Sequence, residues 1–288
     1  MAKPGAPGYV PGNGFQEDLV TIELALIAQL LTPHLIVVAA DTPAVRLEAA
    51  HVKQRLAAAS ESRPVDLTGA DLSGLDLTGV DFNGANLTKA RLVDAKLAGA
   101  NLFSCDLIDA VATGADFSKA NLDGTVLRRA QLARANLEGA SLFATIIEQA
   151  DLTEANLSGT RIIGYLRSAK LSRARLVNSN SGADPGNQSM GVMRATFVGA
   201  DLSGADLTGA NLYKADFSHA DLSGARLTGA NLENADLVQT DFSEADLRNV
   251  RVAKANLDGA IFTGATGVNT MKGLDQARNR DKAVFDAK

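Results

Sequence analysis

Residues 200–239, ADLSG ADLTG ANLYK ADFSH ADLSG ARLTG ANLEN ADLVQ, form eight consecutive units of five residues. Each unit has a small residue, usually Asp or Asn, then Leu or Phe, and two small or polar residues. A period of five fits neither a helix, where successive leucines lie about 140° apart, nor a flat strand, where they alternate between faces. The chain must therefore turn within every unit. If each unit forms one side of a square, the leucines share an axis and four units complete a coil of 20 residues.

Tandem units of the form A(D/N)LXX extend over roughly residues 64–264, and this pattern resembles that of the pentapeptide repeat proteins. The resemblance implies an all-β solenoid, a right-handed quadrilateral parallel β-helix, here of about nine coils that stack about 4.8 Å apart. Phenylalanines 20 positions apart are then predicted to stack in consecutive coils, Phe197 on Phe217 and Phe242 on Phe262.

Two interruptions break the period. Only four positions separate the central residues Ile162 and Leu166, so one unit is a residue short. The next central residue after Leu176 is Phe197, which leaves 16 extra residues. We interpret residues 177–195 as an inserted loop that either contacts a partner or is a neutral excursion. Its candidate partner-binding residues are the apolar Met190, Val192 and Met193.

The two ends differ from the repeat. Residues 1–14 are rich in Gly and Pro and are expected to be flexible, and residues 15–63 are predicted to be a helical capping or assembly region. Within it, residues 43–59 are predicted to form an amphipathic helix. Residues 265–288 are expected to be a C-terminal cap, a short helix or a tail. The apolar residues 19–40 contain Glu23 and Pro33, so a cap or dimer interface is favoured over contact with a membrane.

Composition argues against an enzyme. The chain has one cysteine and three histidines, and none lies at the spacing of a metal site. The many Ser and Asp residues recur because the repeat requires them, and no cofactor motif is present. A fold that needs no disulfide is expected to function in the cytoplasm.

The residue before each central residue is expected to face solvent. Acidic residues at this position form two predicted ladders with a spacing of 20, listed as Asp201, Asp221 and Asp241, and Asp216 and Asp236. Such a surface could imitate a nucleic-acid backbone. The resemblance includes the Qnr-type proteins, which are thought to protect DNA gyrase in this way. Alternatively, each Asp bonds to its local turn.

Charge along the chain weakens the DNA-mimic interpretation. The net charge is −5 over residues 64–163 and −5 over residues 195–262, but +4 over residues 164–194. That stretch holds five cations and one Asp, and we name four of the cations the basic girdle: Arg167, Lys170, Arg173 and Arg175. A duplex mimic requires an uninterrupted negative field.

Three successive coils are predicted to carry an outward apolar residue in place of Asp or Asn. These candidate partner-binding residues are Val126, Ile146 and Tyr165. An exposed apolar ladder is typical of a partner site, although β-branched residues also stabilise contacts between strands.

The sequence therefore predicts a non-catalytic scaffold or protein-binding module. A gyrase-protecting DNA mimic and a membrane-tethered rod are the alternatives. The expected partner is a protein, with gyrase among the possibilities, or a second copy of the chain bound through the terminal regions. Direct binding of nucleic acid is not expected, because the net charge is −5.

Overall fold

The computed structural model describes residues 47–58, 64–183 and 194–287. The chain divides into two compact units, Met1–Pro43 and Ala44–Lys288, and all of the described residues belong to the second. Its regular elements are helix α1 (Ala49–Ala57), strands β1 (Ser141–Ile146) and β2 (Arg161–Tyr165), and three 3-10 turns at Val268–Thr270, Leu274–Gln276 and Arg280–Lys282.

The remainder of the described chain is built from tight turns and single-residue β-bridges. The residue before each central Leu or Phe forms a parallel bridge, in most of the chain to the residue 20 positions further on. Four such ladders are present, and we name them A, B, C and D by their first residues, Asp66, Asp71, Asp76 and Asp81. Parallel ladders repeating every 20 residues are those of a β-helix, as predicted. The handedness and the count of about nine coils stay predictions.

Most units end in a turn of one geometry. The amide of Ala70 donates to the carbonyl oxygen of Leu67 at 3.0 Å, and Gly69 between them has a φ of 67°. A positive φ at this position defines a type II turn, which Gly adopts without steric cost. The chain also places long side chains there, such as Lys119 with a φ of 57° and Lys214 with a φ of 61°. These side chains therefore lie at the corners between ladders.

The central residues form the core. Leu and Phe at these positions are almost fully buried, and so are the Ala residues two positions earlier. Phe197 and Phe217 stack with ring centroids 4.6 Å apart, and Phe242 and Phe262 stack at 5.2 Å, which confirms both predicted pairs. Stacks of this kind hold successive coils in register.

The one-residue deletion lies where β1 and β2 replace the usual bridges. Ile146 pairs with Tyr165, so the spacing falls to 19, and Ile163 and Gly164 are buried in the shortened corner. A Cβ on Gly164 would overlap the carbonyl oxygen of Thr145. Gly is therefore required at this position by the close approach of the two strands.

The insertion begins later than predicted. Asn180 still bridges in ladder D, and Ser181 occupies the next inward position with no exposed surface. Residues 177–183 therefore belong to the β-helix, and 16 positions separate Ser181 from the next central residue, Phe197, where five are usual. The leucine pattern placed the start too early because a Ser fills the core position here.

Helix α1 covers the first coil. Val52 is fully buried, and the guanidinium of Arg55 donates to the carbonyl oxygen of Asp66 at 2.7 Å. The helix starts at Ala49, so the predicted start at residue 43 was wrong. The amide of Leu47 donates to the carbonyl oxygen of Asp71, and Glu48 is extended, so the chain runs along the first coil before it turns into the helix. The predicted segments at residues 1–14, 15–46 and 19–40 lie outside the described residues.

Residues 266–284 add to the ladders, at the end where a cap, a short helix or a tail was expected. Lys272, Arg278 and Val284 bridge to Arg251, Asn256 and Ile261, and a 3-10 turn lies within each of these sides. The period here is six rather than five, which is why the repeat pattern did not reveal it. Phe285 extends the aromatic stack, 4.8 Å from Phe262.

A candidate protein-binding surface on one corner of the β-helix

The predicted apolar ladder is in register. Val126 bridges Ile146, Ile146 bridges Tyr165, and Tyr165 bridges Thr196, all in ladder A. The side chains of Val126 and Ile146 are half-buried, and 49% of Tyr165 is exposed. The register therefore survives the deletion. The role of these three residues in binding stays a prediction.

Two further aromatic residues lie on the same corner. Phe103 and Phe143 each follow a central residue of ladder D, so they occupy the corner where the chain passes from ladder D to ladder A. Phe103 is 46% exposed, and the guanidinium of Arg161 lies 4.4 Å from the Phe143 ring centroid. We name this region the D–A corner, and we name its exposed and half-buried apolar residues the apolar patch: Phe103, Val126, Phe143, Ile146 and Tyr165. The sequence analysis missed the two phenylalanines, although their spacing of 40 residues, or two coils, signals them.

The insertion leaves the β-helix at this corner as well. It runs from the end of the ladder D unit at Asn180 to the ladder A unit at Thr196. Its predicted partner-binding residues Met190, Val192 and Met193 lie outside the described residues. The four-way register thus brings the apolar patch and the base of the insertion to one corner of successive coils.

The acidic residues also stack as predicted. Asp201, Asp221 and Asp241 form consecutive bridges in ladder B. Their Oδ1 atoms accept the backbone amides of the residues two positions later, at 2.9, 2.8 and 2.8 Å. These half-buried carboxylates therefore stabilise their own turns, which is the structural alternative stated for the acidic ladder.

The shorter acidic ladder is neutralised. Asp216 and Asp236 stack in ladder A, and the guanidinium of Arg194 lies 3.0 Å from the first carboxylate and 2.7 Å from the second. Arg278 approaches Asp236 to 3.6 Å from the other side. This part of ladder A does not present the free negative charge expected of a phosphate mimic.

The basic girdle lies along three sides of a single coil. Lys170 is in ladder B and Arg175 is in ladder C, each on the coil before an Asp of the same ladder. Arg173 pairs with Glu154 at 2.9 Å. The four cations are exposed but are spread over three of the four sides, so they do not form a compact patch. Lys170 interrupts the acidic run of ladder B between Asp151 and Asp201.

Residues 47–58, 64–183 and 194–287 hold no group of His, Cys, Asp and Glu side chains suited to bind a metal ion. Cys105 is fully buried, its Sγ donates to the carbonyl oxygen of Phe82 at 3.3 Å, and burial raises the pKa of its thiol to about 12. The thiol is therefore protonated and inert at neutral pH. None of the described helices has the length and apolar composition needed to span a membrane.

Comparison with known proteins agrees with this fold. The family model for pentapeptide repeats matches eight copies, over residues 66–102, 105–143, 130–164, 193–229 and 225–264. No curated protein sequence matches the chain.

Several solved structures are similar to the chain. HetL, a pentapeptide repeat protein involved in regulating heterocyst differentiation in the cyanobacterium Nostoc sp. strain PCC 7120, is 30% identical over 83% of this chain and 94% of its own, with a TM-score of 0.37. A protein from the thylakoid lumen of Arabidopsis thaliana is 34% identical over 34% of this chain and 68% of its own, with a TM-score of 0.34. QnrB1, a plasmid-mediated fluoroquinolone resistance protein, is 17% identical over 70% of this chain and 89% of its own, with a TM-score of 0.50, a likeness of fold alone.

Proposed function

Because the chain belongs to the pentapeptide repeat family, we propose that it is a non-catalytic scaffold that binds a protein partner through the D–A corner. The observation that carries the proposal is the apolar patch. It places exposed or half-buried apolar side chains on successive coils, three of them at the position where the repeat usually has Asp or Asn. Apolar surface of this kind, here interrupted by the carboxylate of Asp123 between Phe103 and Phe143, is typical of sites that bind another protein.

The turn chemistry supports this interpretation. In the usual unit an Asp or Asn oxygen accepts a backbone amide two residues later, as Asp216 does from Ser218 at 3.1 Å. The side chains of Val126, Ile146 and Tyr165 offer no such acceptor, so each gives up a hydrogen bond typically worth about 0.5–1.5 kcal/mol. Ladder A carries apolar side chains instead of this acceptor on three consecutive coils, which favours a role outside the fold.

The proposal also requires that the β-helix carrying the apolar patch is rigid. We take the coil to be right-handed and quadrilateral with about nine turns, so that side chains on one ladder keep a fixed spacing of about 4.8 Å. A preorganised surface loses little conformational entropy when a partner binds. We place the scaffold in the cytoplasm.

Ile146 and Tyr165 provide a sharp test, because Asp is already the usual residue at their position in the repeat. The double variant Ile146→Asp/Tyr165→Asp is compared with Val111→Asp/Gln131→Asp, which places the same charges on adjacent coils of ladder B. Each full-length tagged chain is used to capture proteins from its native cells, with quantification by mass spectrometry. We expect the corner variant to lose a stoichiometric partner by about tenfold or more, and the control to retain it. If both variants capture the partner equally, the D–A corner is not the binding site.

Assembly through the N-terminal region is a second part of the proposal. Val52 of α1 is buried against the first coil, so a deletion should stop before the helix. Removing residues 1–43 should leave the β-helix folded and alter its oligomeric state, as measured by light scattering. An unchanged number of subunits would mean that residues 1–43 have another role, such as contact with a membrane through residues 19–40.

Protection of gyrase is the second candidate function. It is favoured by ladder B, in which Asp201, Asp221 and Asp241 stack in consecutive bridges and form no ion pair within the described part of the chain. Replacing all three with Asn removes the charge and keeps the Oδ1 acceptor of each turn. If the chain is a DNA mimic, the wild type competes with DNA for gyrase and the triple Asn variant competes less. Equal competition, or none by the wild type, would exclude this mechanism.

A further inference from the structure

A cationic groove lies on the D–A corner beyond the apolar patch. It has a volume of about 540 Å³ and is lined by Arg194, Lys214, Asn234, Lys254 and Arg278. Lys214, Asn234 and Lys254 occupy the turn position of ladder D on successive coils, with φ near 60° at each. Arg194 lies two residues before Thr196, the residue that bridges Tyr165. The groove therefore begins about one coil after the apolar patch ends.

The charges in the groove are only partly balanced. Arg194 and Arg278 pair with Asp216 and Asp236, as described above. Among the described residues, no carboxylate forms an ion pair with Lys214 or Lys254. The Lys214 ammonium lies 5.3 Å from the ring centroid of Tyr213. Four cations against two carboxylates leave a net charge of +2, on a chain whose net charge is −5.

We propose that the partner of the D–A corner is an acidic, extended protein segment, whose apolar side chains cover the apolar patch and whose carboxylates enter the cationic groove. The proposal rests on the proposed scaffold function and names the chemistry of its partner. Opposite charge selects the occupant, because an uncharged apolar segment would leave Lys214 and Lys254 without partners.

The dimensions fit a short peptide. In ladder A, seven steps separate Val126 from Arg278, and at about 4.8 Å per step this is roughly 34 Å. An extended chain rises about 3.3 Å per residue, so a segment of about ten residues spans both regions.

Nucleic acid fits less well. The carboxylates of Asp216 and Asp236 border the groove and oppose a polyanion, and two net charges neutralise too few phosphates for tight binding. The apolar patch also offers no cation along the rest of the corner except Arg161, which covers the Phe143 ring.

The test uses a phage library of random twelve-residue peptides, selected on the immobilised full-length chain. Selected peptides are synthesised with a fluorescent label, and their affinities are measured for the wild type and three variants. Lys214→Glu/Lys254→Glu reverses the groove. Lys89→Glu/Lys119→Glu is the matched control, because these two exposed lysines have the same turn conformation, with φ of 58° and 57°, at other corners. Ile146→Asp/Tyr165→Asp reports on the apolar patch.

We expect the selected peptides to be rich in Asp and Glu alongside apolar residues. Their affinity should fall about tenfold on Lys214→Glu/Lys254→Glu and should not change on the control. It should also weaken as salt is raised from about 50 to about 500 mM. Peptides without acidic residues that depend on Tyr165 but not on Lys214 would overturn this inference and leave the scaffold function standing. Peptides that depend on neither site, or the recovery of none, would overturn both.

Discussion

Ser181 offers a direct test of where the insertion departs from the β-helix. Its side chain is fully buried in the inward column between Ile162 and Leu212, and its Oγ has no hydrogen-bond partner among the described residues. A buried hydroxyl without a partner costs about 1–3 kcal/mol. Ser181→Ala removes the hydroxyl and leaves the packing nearly unchanged, so it should stabilise the protein by about that amount.

A buried hydroxyl that is satisfied supplies the control. The Oγ1 of Thr125 is also fully buried, but it donates to the carbonyl oxygen of Leu102 at 2.8 Å. Thr125→Val keeps the shape and deletes this bond, so it should destabilise the protein by about 0.5–1.5 kcal/mol. The two substitutions each remove one hydroxyl, and the structure predicts opposite signs for them.

The assay is urea unfolding followed by circular dichroism, with a check that the transition is two-state, because repeat proteins can unfold in parts. The midpoint should rise for Ser181→Ala and fall for Thr125→Val at an unchanged slope. In a thermal scan each kcal/mol corresponds to about 2–4 °C for a domain of this size. A Ser181→Ala variant that is no more stable than the wild type would mean that the hydroxyl has a partner, and that the insertion begins nearer Leu176.

Three other predictions concern single sites. Gly164→Ala should destabilise the protein by about 1–3 kcal/mol, because the new Cβ would overlap the carbonyl oxygen of Thr145; unchanged stability in urea would mean that β1 and β2 lie further apart. The side-chain hydrogen bond from Arg248 holds the pKa of Asp246 below its usual value, so this pair stabilises the fold above about pH 4 and the benefit is lost as the pH falls. Asp246→Asn should therefore be less stable at pH 7 and lose less stability between about pH 5 and pH 2, and parallel curves for the two proteins would contradict the pairing. Cys105 should not react with a thiol reagent at pH 8 in the folded protein and should react fully in denaturant; stoichiometric reaction of the folded protein would show that the thiol is accessible.

The period of five determined most of the fold from sequence. One inward Leu per unit and a four-sided count were enough to predict the ladders, the stacking of Phe197 on Phe217, and the register of Val126, Ile146 and Tyr165 across a deletion. These features depend only on the order and spacing of residues along the chain, so they can be predicted from a repeating sequence.

The errors occurred where the backbone does not follow the five-residue pattern of the sequence. Ser181 fills a leucine position, so the pattern placed the insertion too early. Residues 266–284 keep the ladders with a period of six, which a search for five does not detect. The start of α1 depends on the bond between Leu47 and Asp71, a contact distant in sequence.

The surface was only partly predictable for a related reason. Each ladder was considered separately, whereas a corner combines the turn residues of one ladder with the outward residues of the next. Phe143 and Ile146 belong to different units but flank one corner, and so do Lys214 and Asp216. Considering adjacent columns together would have grouped the aromatic residues, the insertion and the cationic groove from sequence.

The claim that the D–A corner binds a protein partner is tested most directly by photo-crosslinking in the native cells. The photoreactive residue p-benzoylphenylalanine is placed in the full-length chain at Tyr165, or at Val111 of ladder B as the control. We predict one discrete adduct at Tyr165, in which the crosslinked peptide of the partner is rich in Asp and Glu, and no adduct at Val111. An adduct at Val111 with none at Tyr165 would contradict the account.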